Sequence, residues 1–295
     1  MSSKTSAGSS TMLSSYATRV LVRILQVSDL HVGAHDDGRA DVENAIGALV
    51  ATEQPELVIA TGDLTHRNRA DQHRRAGELL RSLGPPVVAV PGNHDLPALP
   101  PRRVLAPFDA FVAVWGETEP VYRSASAVVC CLNSVRPWRY QRGAVSAAQL
   151  ERVRATMATS PANALRVVAL HHHLTSAPWR TGKRTIPARS RTLASLASSG
   201  AELVIAGHTH QSVVVERREL QHAPGGVVLA TAPGAGRPRP GRHAEAAGVH
   251  VYDANETTLR VRTFAWVELE LTLVADRAFP RAGRTGPAPT GHVGS

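Results

Sequence analysis

Short apolar runs recur along the first two thirds of the chain, and each ends abruptly in polar residues. Between them lie stretches in which apolar residues return every few positions, as at Val42, Ile46 and Val50. This alternation predicts buried strands separated by amphipathic helices, which is typical of a largely parallel sheet covered by helices. The predicted strands are 20–28, 56–61, 86–90, 165–170 and 202–206, with two short strands within 121–133. The predicted helices are 39–53, 69–82, 103–115, 146–157 and 189–199.

The pattern changes in the last third, where strands follow one another with few helices between them. Four more strands are predicted there, at 212–216, 226–231, 248–253 and 258–272. Two packed sheets flanked by helices would accommodate both halves of the chain, so we expect an α/β fold.

Both ends of the chain lack this periodicity. Residues 1–19 are rich in Ser, Thr and Ala, and residues 276–295 are rich in Arg, Pro and Gly. Such compositions are typical of disordered segments, so we expect two disordered tails around a single domain at 20–275.

Composition narrows the class of protein further. The 295 residues are 43% hydrophobic, which is enough for a substantial core. No apolar run approaches the ~20 residues of a membrane helix, and the N-terminus has no apolar signal region. We therefore expect a soluble cytoplasmic protein with no membrane partner.

The net charge of +9 suits an anionic ligand, but it fits a solubility feature or a genomic composition bias equally well. Cys130 and Cys131 are adjacent, which argues against a disulfide between them.

The candidate chemistry lies where the predicted strands end. In open α/β sheets, ligands bind beyond the carboxyl ends of the strands, and five strands here end in Asp, His or Asn. The five motifs are Asp29-Leu30-His31, Gly62-Asp63, Gly92-Asn93-His94-Asp95, His171-His172-His173 and Gly207-His208-Thr209-His210.

These motifs offer oxygen and nitrogen donors and no sulfur, a mixture that suits divalent Mn, Fe or Zn. The candidate metal ligands are Asp29, His31, Asp63, Asn93, His171, His208 and His210. This set exceeds what one tetrahedral ion takes, and it fits two ions that share a carboxylate and lower the pKa of a bridging water for attack on phosphorus. His94 is a candidate to protonate the leaving oxygen or hold the phosphoryl group, and Asp95 to orient His94 or a metal ligand.

Together the motifs resemble the signature of the calcineurin-like metallophosphoesterase superfamily. The closer resemblance is to its class III cyclic nucleotide phosphodiesterase branch, typified by bacterial 3′,5′-cyclic AMP phosphodiesterase. Segments 24–29, 60–64 and 170–173 are similar to that branch locally, and the resemblance covers residues 20–275. It implies a four-layer αββα sandwich, with two mixed sheets flanked by helices, and a dinuclear metal centre.

The resemblance also implies how the ligands divide. Asp29, His31, Asp63 and His210 would hold one metal, and Asp63, Asn93, His171 and His208 the other, with Asp63 bridging. Asn93 and His94 would contact the substrate phosphate. The chain departs from the family at Leu174, where proline is usual, so the ligand among His171, His172 and His173 stays open. We favour His171 because it comes first after the strand, and we expect His66 to be a solvated loop residue.

Two basic loops, 134–145 and 174–187, are candidates for selecting the substrate. They combine arginines, which bind phosphate, with aromatic residues, which stack on bases. Arg139 and Arg184 are the candidate substrate contacts, and Trp138 and Trp179 are the nearby aromatic residues. The alternative is that these are solvated basic loops anchored by a tryptophan.

The predicted function is a metal-dependent phosphodiesterase that acts on cyclic nucleotides, such as 3′,5′-cAMP, or on similar small phosphodiesters. A phosphomonoesterase or a nucleotide-sugar or lipid-precursor pyrophosphatase is an alternative, because the metals contact only the phosphoryl group. A non-catalytic, basic nucleic-acid-binding protein is the alternative from another class, and the absence of any recognised nucleic-acid-binding motif argues against it. The β-rich C-terminal part also makes a homodimer a possibility.

Overall fold

The computed structural model of the chain describes residues 20–34, 39–176, 183–220, 226–236, 247–268 and 270–281. The predicted tail at 1–19 and most of the predicted tail at 276–295 lie outside these residues. The strands are β1 (Val22–Val27), β2 (Leu57–Ala60), β3 (Val87–Ala89), β4 (Val121–Arg123), β5 (Ala127–Leu132), β6 (Leu165–Leu170), β7 (Leu203–Ala206), β8 (Val213–Arg217), β9 (Val227–Thr231), β10 (Gly248–Ala254), β11 (Thr258–Val267) and β12 (Glu270–Pro280). The helices are α1 (Arg39–Glu53), α2 (Ala70–Ser82), α3 (Arg102–Leu105), α4 (Asp109–Trp115), α5 (Ala147–Ala158) and α6 (Arg189–Ser198).

The strands form two six-stranded mixed sheets. The first has the order β12-β11-β10-β1-β2-β3, in which β1, β2 and β3 are parallel and the remaining neighbours are antiparallel. The second has the order β4-β5-β6-β7-β9-β8, with a parallel centre from β5 to β9 and antiparallel strands at both edges. The predicted class of two mixed sheets is thus confirmed.

Apolar residues on both faces of each sheet explain the layering. Ile24 and Ile59 of the first sheet pack with Val167 and Ile205 of the second in a buried layer between the sheets. The outer face of the first sheet packs against α1, α2 and α4, and that of the second against α5 and α6. Strands that are buried on both faces must be apolar throughout, which is why they appear in the sequence as continuous apolar runs.

Two predicted elements are wrong in detail. The predicted helix at 103–115 is broken into α3 and α4, because Pro107 lacks an N–H and disfavours helical backbone in the residue before it. The predicted strand at 258–272 is two strands, which turn at Glu268, where φ is +56°.

The predicted domain boundary at 275 lies inside β12, which continues to Pro280. The next residue, Arg281, is buried, and its Nε lies 2.9 Å from Oε1 of Glu202, which is also buried. This ion pair links the end of the first sheet to the second sheet, so residues 276–281 pack as part of the fold. None of the helices within the described residues has the length and apolar composition needed to cross a bilayer.

Candidate metal centre

The parallel strands of both sheets deliver their polar turns to one edge of the sandwich. Asp29 follows β1, and its backbone N–H donates to the carbonyl oxygen of Gly62 at 2.9 Å. Gly62 is the residue before Asp63. In the second sheet, Gly207 N–H donates to His171 O at 3.0 Å. The two sheets meet where His208 N–H donates to Oδ2 of Asp29 at 3.0 Å. Turns that are far apart in the sequence therefore converge on a single pocket.

The backbone in these turns is unusual. Five of the candidate ligands have a positive φ, a conformation that residues other than glycine rarely adopt and that is enriched at functional sites. They are Asp29 (54°), His31 (47°), Asp63 (51°), His208 (74°) and His210 (55°). This left-handed backbone conformation directs the side chains of these residues into the pocket.

Two motif glycines allow the turns to approach each other. A Cβ on Gly92 would lie 2.1 Å from the backbone nitrogen of Asp63, and one on Gly207 would lie 1.9 Å from Oγ of Ser28. Both distances are far below any permitted contact, so only glycine fits at these positions.

Asp29, His31 and His210 form a first group of donors. Their ligand atoms lie within 4.8 Å of one another, and all three residues are buried. The two Nε2 atoms of the histidines are 3.2 Å apart, and Nε2 of His210 is 3.1 Å from Oδ1 of Asp29. The donors thus converge on a common centre, as the ligands of a cation do.

Asp63, His171 and His208 form a second such group, with ligand atoms again within 4.8 Å of one another. Nε2 of His171 lies 3.4 Å from Oδ1 of Asp63 and 3.2 Å from Nδ1 of His208. Oδ1 of Asn93 is also 3.2 Å from Nε2 of His171, so the side-chain oxygen of Asn93 joins this group.

Asp63 lies between the two groups. Its Oδ1 is 3.4 Å from Nε2 of His171, and its Oδ2 is 3.9 Å from Nε2 of His31. Each oxygen of one carboxylate therefore faces a different group of donors.

The electrostatics of the cluster fit a cation. Burial raises the pKa of Asp29, but His210 and His171 more than offset it and hold that pKa well below its usual range. Burial lowers the pKa of His31 to about 3 and keeps the pKa of His208 well below its ordinary value. A charged carboxylate and neutral imidazoles are the ligand forms of these groups.

The protonation of His171 also fits a cation site. Burial opposes protonation of His171, yet the adjacent Asp63 raises its pKa to about 9. A cation bound among these donors would take the place of that proton.

The structure separates the three consecutive histidines. Nδ1 of His171 donates to Thr61 O at 2.8 Å, which turns its Nε2 into the cluster. His172 bonds instead to Oγ of Ser134 through Nδ1 at 2.9 Å. His173 stacks on His208 at 5.7 Å between ring centroids. The favoured candidate, His171, is thus the one that the structure brings to the other donors.

Residues 22–212 match the family model of the calcineurin-like phosphoesterases. The chain belongs to this family. The family uses divalent metals, and the two donor groups are suited to holding them. The protein is therefore a metal-dependent phosphoester hydrolase.

Three comparisons show the range of its relatives. A 3′,5′-cyclic adenosine monophosphate phosphodiesterase from Haemophilus influenzae is 22% identical over 67% of this chain and 73% of its own length. The DNA double-strand break repair protein Mre11 from Aeropyrum pernix is 32% identical over 35% of this chain, but the match spans only 27% of that relative's length. A dimetal phosphatase from Danio rerio shares the fold at a TM-score of 0.65 and 14% identity, over 89% of this chain and 100% of that one. The cyclic nucleotide phosphodiesterases among the relatives support the predicted class III-like branch.

His94 of this phosphoesterase lies beside the first donor group. The ring centroids of His94 and His31 are 4.8 Å apart, and Nδ1 of His94 donates to His66 O at 3.1 Å. The side chain of His66 is half-buried and stacks at 5.9 Å from His94, so it belongs to the rim of the pocket and is not the solvated loop residue that we expected.

Asp95 is fully buried, and its carboxylate accepts backbone N–H groups from Leu64 at 3.1 Å, Thr65 at 2.8 Å and Gly92 at 2.9 Å. None of its described hydrogen bonds goes to the His94 side chain. Of the two roles expected for Asp95, orienting His94 is thus not supported by a described contact, whereas supporting a metal ligand is. The carboxylate instead braces the turns that carry Asp63 and Asn93, which makes Asp95 a positioning residue. Burial raises its pKa.

The structure does not bring Arg139 or Arg184 to the donor groups through any described contact, and both side chains are exposed. Trp179 lies outside the described residues. Loop 134–145 is nevertheless tied to the pocket at its base, because the ring of His172 bonds to Ser134 and packs against Gly143.

Sequence reasoning missed Arg103, which anchors the tip of this loop. Arg103 is buried, donates to Pro137 O at 2.7 Å and to Pro97 O at 2.8 Å, and lies 4.4 Å from the ring centroid of Tyr140. It thus connects loop 134–145 to the segment that follows Asp95. No sequence signal distinguishes it from its exposed neighbour Arg102.

Proposed function

We propose that the protein is a phosphodiesterase whose pocket holds two divalent cations bridged by Asp63. The position of Asp63 carries the proposal, because each of its oxygens faces a separate group of buried donors. The first cation would be held by Asp29, His31, Asp63 and His210, and the second by Asp63, Asn93, His171 and His208.

The donors are oxygens and imidazole nitrogens, which favours Mn, Fe or Zn. The two cysteines do not compete as ligands, because both are buried in β5, where burial raises the pKa of each thiol. Such cations, when bound, supply Lewis acidity that activates water and offsets charge on the phosphoryl group.

His94 is the residue that we assign to the phosphoryl group. With Nδ1–H donated to His66 O, Nε2 faces the phosphoryl group. In the imidazolium form the ring would also carry a proton on Nε2, which could donate to a phosphoryl oxygen or pass to the leaving oxygen. Asn93 would contact the same phosphate from the side of the second cation.

We infer that the substrates are cyclic nucleotides such as 3′,5′-cAMP, or similar small phosphodiesters. Relatives that are named cyclic nucleotide or glycerophosphodiester phosphodiesterases support this class. The surplus of basic residues suits an anionic substrate. A homodimer and a cytoplasmic location stay predictions.

The first test is hydrolysis of bis(p-nitrophenyl) phosphate by metal-free protein to which Mn²⁺ is returned. We expect turnover with Mn²⁺ and its loss with EDTA. A panel of cyclic mononucleotides, glycerophosphodiesters, nucleotide-sugar pyrophosphates and p-nitrophenyl phosphate then ranks the substrates by kcat/KM. Faster turnover of the monoester than of every diester would contradict a phosphodiesterase and favour the phosphomonoesterase alternative.

A further inference from the structure

A chain of polar side chains crosses the otherwise apolar layer between the two sheets. Gln26 lies on β1, and His250 and Tyr252 lie on the neighbouring strand β10, all of them with no exposed surface. Nε2 of His250 bonds to Oγ of Ser212 at 3.0 Å, and its Nδ1 lies 3.1 Å from the hydroxyl of Tyr252. That hydroxyl donates to Oε1 of Gln26 at 2.5 Å. Polar groups in such a position are kept only where every one of them has a partner.

The hydrogen bonds of this chain can run in only one direction. The Tyr252 hydroxyl gives its single proton to Gln26, so it must accept from Nδ1–H of His250. Nε2 of a neutral His250 then accepts from the Ser212 hydroxyl. Burial lowers the pKa of His250 to about 3, which is consistent with the neutral ring. The network is therefore fully satisfied without any charge.

The two ends of the network reach the turns that carry the proposed ligands. The side-chain amide of Gln26 donates to Oγ1 of Thr61 at 2.9 Å and to Ala206 O at 2.9 Å. Thr61 belongs to the segment leading into Asp63, in the first sheet, and Ala206 to the segment leading into His208, in the second. At the other end, Ser212 follows closely after His210.

We propose that the Ser212–His250–Tyr252–Gln26 network positions the two halves of the metal centre relative to each other. Apolar contacts alone permit small shifts between packed sheets, whereas directional hydrogen bonds from one amide to both sheets fix their separation at this edge. The inference rests on the proposed function, since it concerns the cations of that site. None of the described hydrogen bonds of the network goes to a proposed metal ligand, so its members are positioning residues.

The test compares Mn²⁺ affinity in metal-free full-length variants by equilibrium dialysis. Gln26→Met keeps the length of the side chain and removes all its hydrogen bonds, and Tyr252→Phe removes one hydroxyl. We expect each to weaken Mn²⁺ binding by up to about 10-fold, the lower end of the range for residues that bond directly to metal ligands, because these residues act one contact further out. We also expect kcat to recover at saturating Mn²⁺, because the groups that contact the phosphate are intact.

Val129→Ala is the matched control, because Val129 lies in the same layer, on β5, and β5 carries none of the proposed ligands. It should lower the melting temperature without weakening Mn²⁺ binding. Should Gln26→Met or Tyr252→Phe fail to fold, Ser212→Ala removes only the outermost hydroxyl and should still weaken binding several-fold.

The outcomes separate the two proposals. Wild-type affinity in the folded network variants, or an equal loss of affinity in Val129→Ala, overturns the network while leaving the metal centre in place. A wild-type protein that binds no Mn²⁺ overturns the proposed centre, and the network inference falls with it.

Discussion

The donor cluster and loop 134–145 lie at the same end of the molecule, but their side chains are held in very different ways. The donors follow directly from strand ends, and Asp29, Asp63 and His208 are buried with left-handed backbone. Loop 134–145 instead exposes Trp138 and Tyr140, and Arg139 is held by a single described backbone hydrogen bond to Arg136. A pocket of buried side chains thus lies beside a loop whose side chains are exposed. Under the proposed function, the sheets position the groups that act on phosphorus, and the exposed side chains of the loop are the candidates for substrate choice.

The largest effect is expected at the carboxylate between the donor groups. Asp63→Ala removes the group shared by both proposed cations, so we expect kcat/KM for bis(p-nitrophenyl) phosphate to fall about 10³-fold or more, even with excess Mn²⁺. The assay is steady-state kinetics with a Mn²⁺ titration, and circular dichroism confirms folding. A folded variant that retains a tenth of the wild-type activity would show that the pocket does not depend on a bridging carboxylate.

Within the pocket, Asn93→Ala and His94→Ala should behave differently although the residues are adjacent. The first removes a proposed metal ligand, so excess Mn²⁺ should restore part of the activity. The second removes the proposed phosphoryl contact, so we expect a loss in kcat of about 10²- to 10³-fold that no metal concentration restores. Activity measured across a Mn²⁺ series distinguishes the two, and equal rescue of both would refute the assigned roles.

Asp95→Ala tests whether the pocket is rigid because its turns are braced. Removing the carboxylate leaves buried N–H groups of Leu64, Thr65 and Gly92 without their acceptor, so we expect the free energy of unfolding to fall by about 3 kcal/mol. Urea denaturation measures this change. Glu78→Ala, an exposed change in α2, is the control and should stay within about 0.5 kcal/mol of the wild type. A similarly small change for Asp95→Ala would mean that the turns hold their shape without it.

The smallest effects are expected in the loops. The double variant Arg139→Ala with Arg184→Ala should raise KM for a cyclic nucleotide by about three- to tenfold, with kcat and melting temperature unchanged, because both side chains are exposed. Steady-state kinetics on several phosphodiesters provide the measurement. If KM is unchanged for every diester, the loops do not wall the substrate pocket, and the alternative of solvated basic loops holds.

The same contrast explains what the sequence predicted. Strands buried on both faces appear as apolar runs, and parallel strands place their carboxyl ends together, so the residues after each run were the right candidates for a shared pocket. The preference for His171 over its two neighbours follows from the same rule. The structure places its Nε2 in the cluster through the bond from Nδ1 to Thr61 O.

What the sequence did not predict depends on contacts between distant segments. The role of Asp95 is set by backbone groups of another turn, and that of Arg103 by carbonyls of two loops. The buried network does leave a trace in the sequence, because Gln26 and Tyr252 are polar residues inside apolar strands. Their partners lie on other strands or beyond another strand's end, so only the pairing of strands shows that these residues meet.

The most direct test of the account is an anomalous difference map from crystals of the protein grown with Mn²⁺. We expect two peaks about 3.5–4 Å apart on either side of the Asp63 carboxylate. One peak should lie among Asp29, His31 and His210, and the other among Asn93, His171 and His208. A pocket that holds no Mn²⁺, or a single ion that Asp63 does not contact, would contradict a dinuclear centre bridged by Asp63.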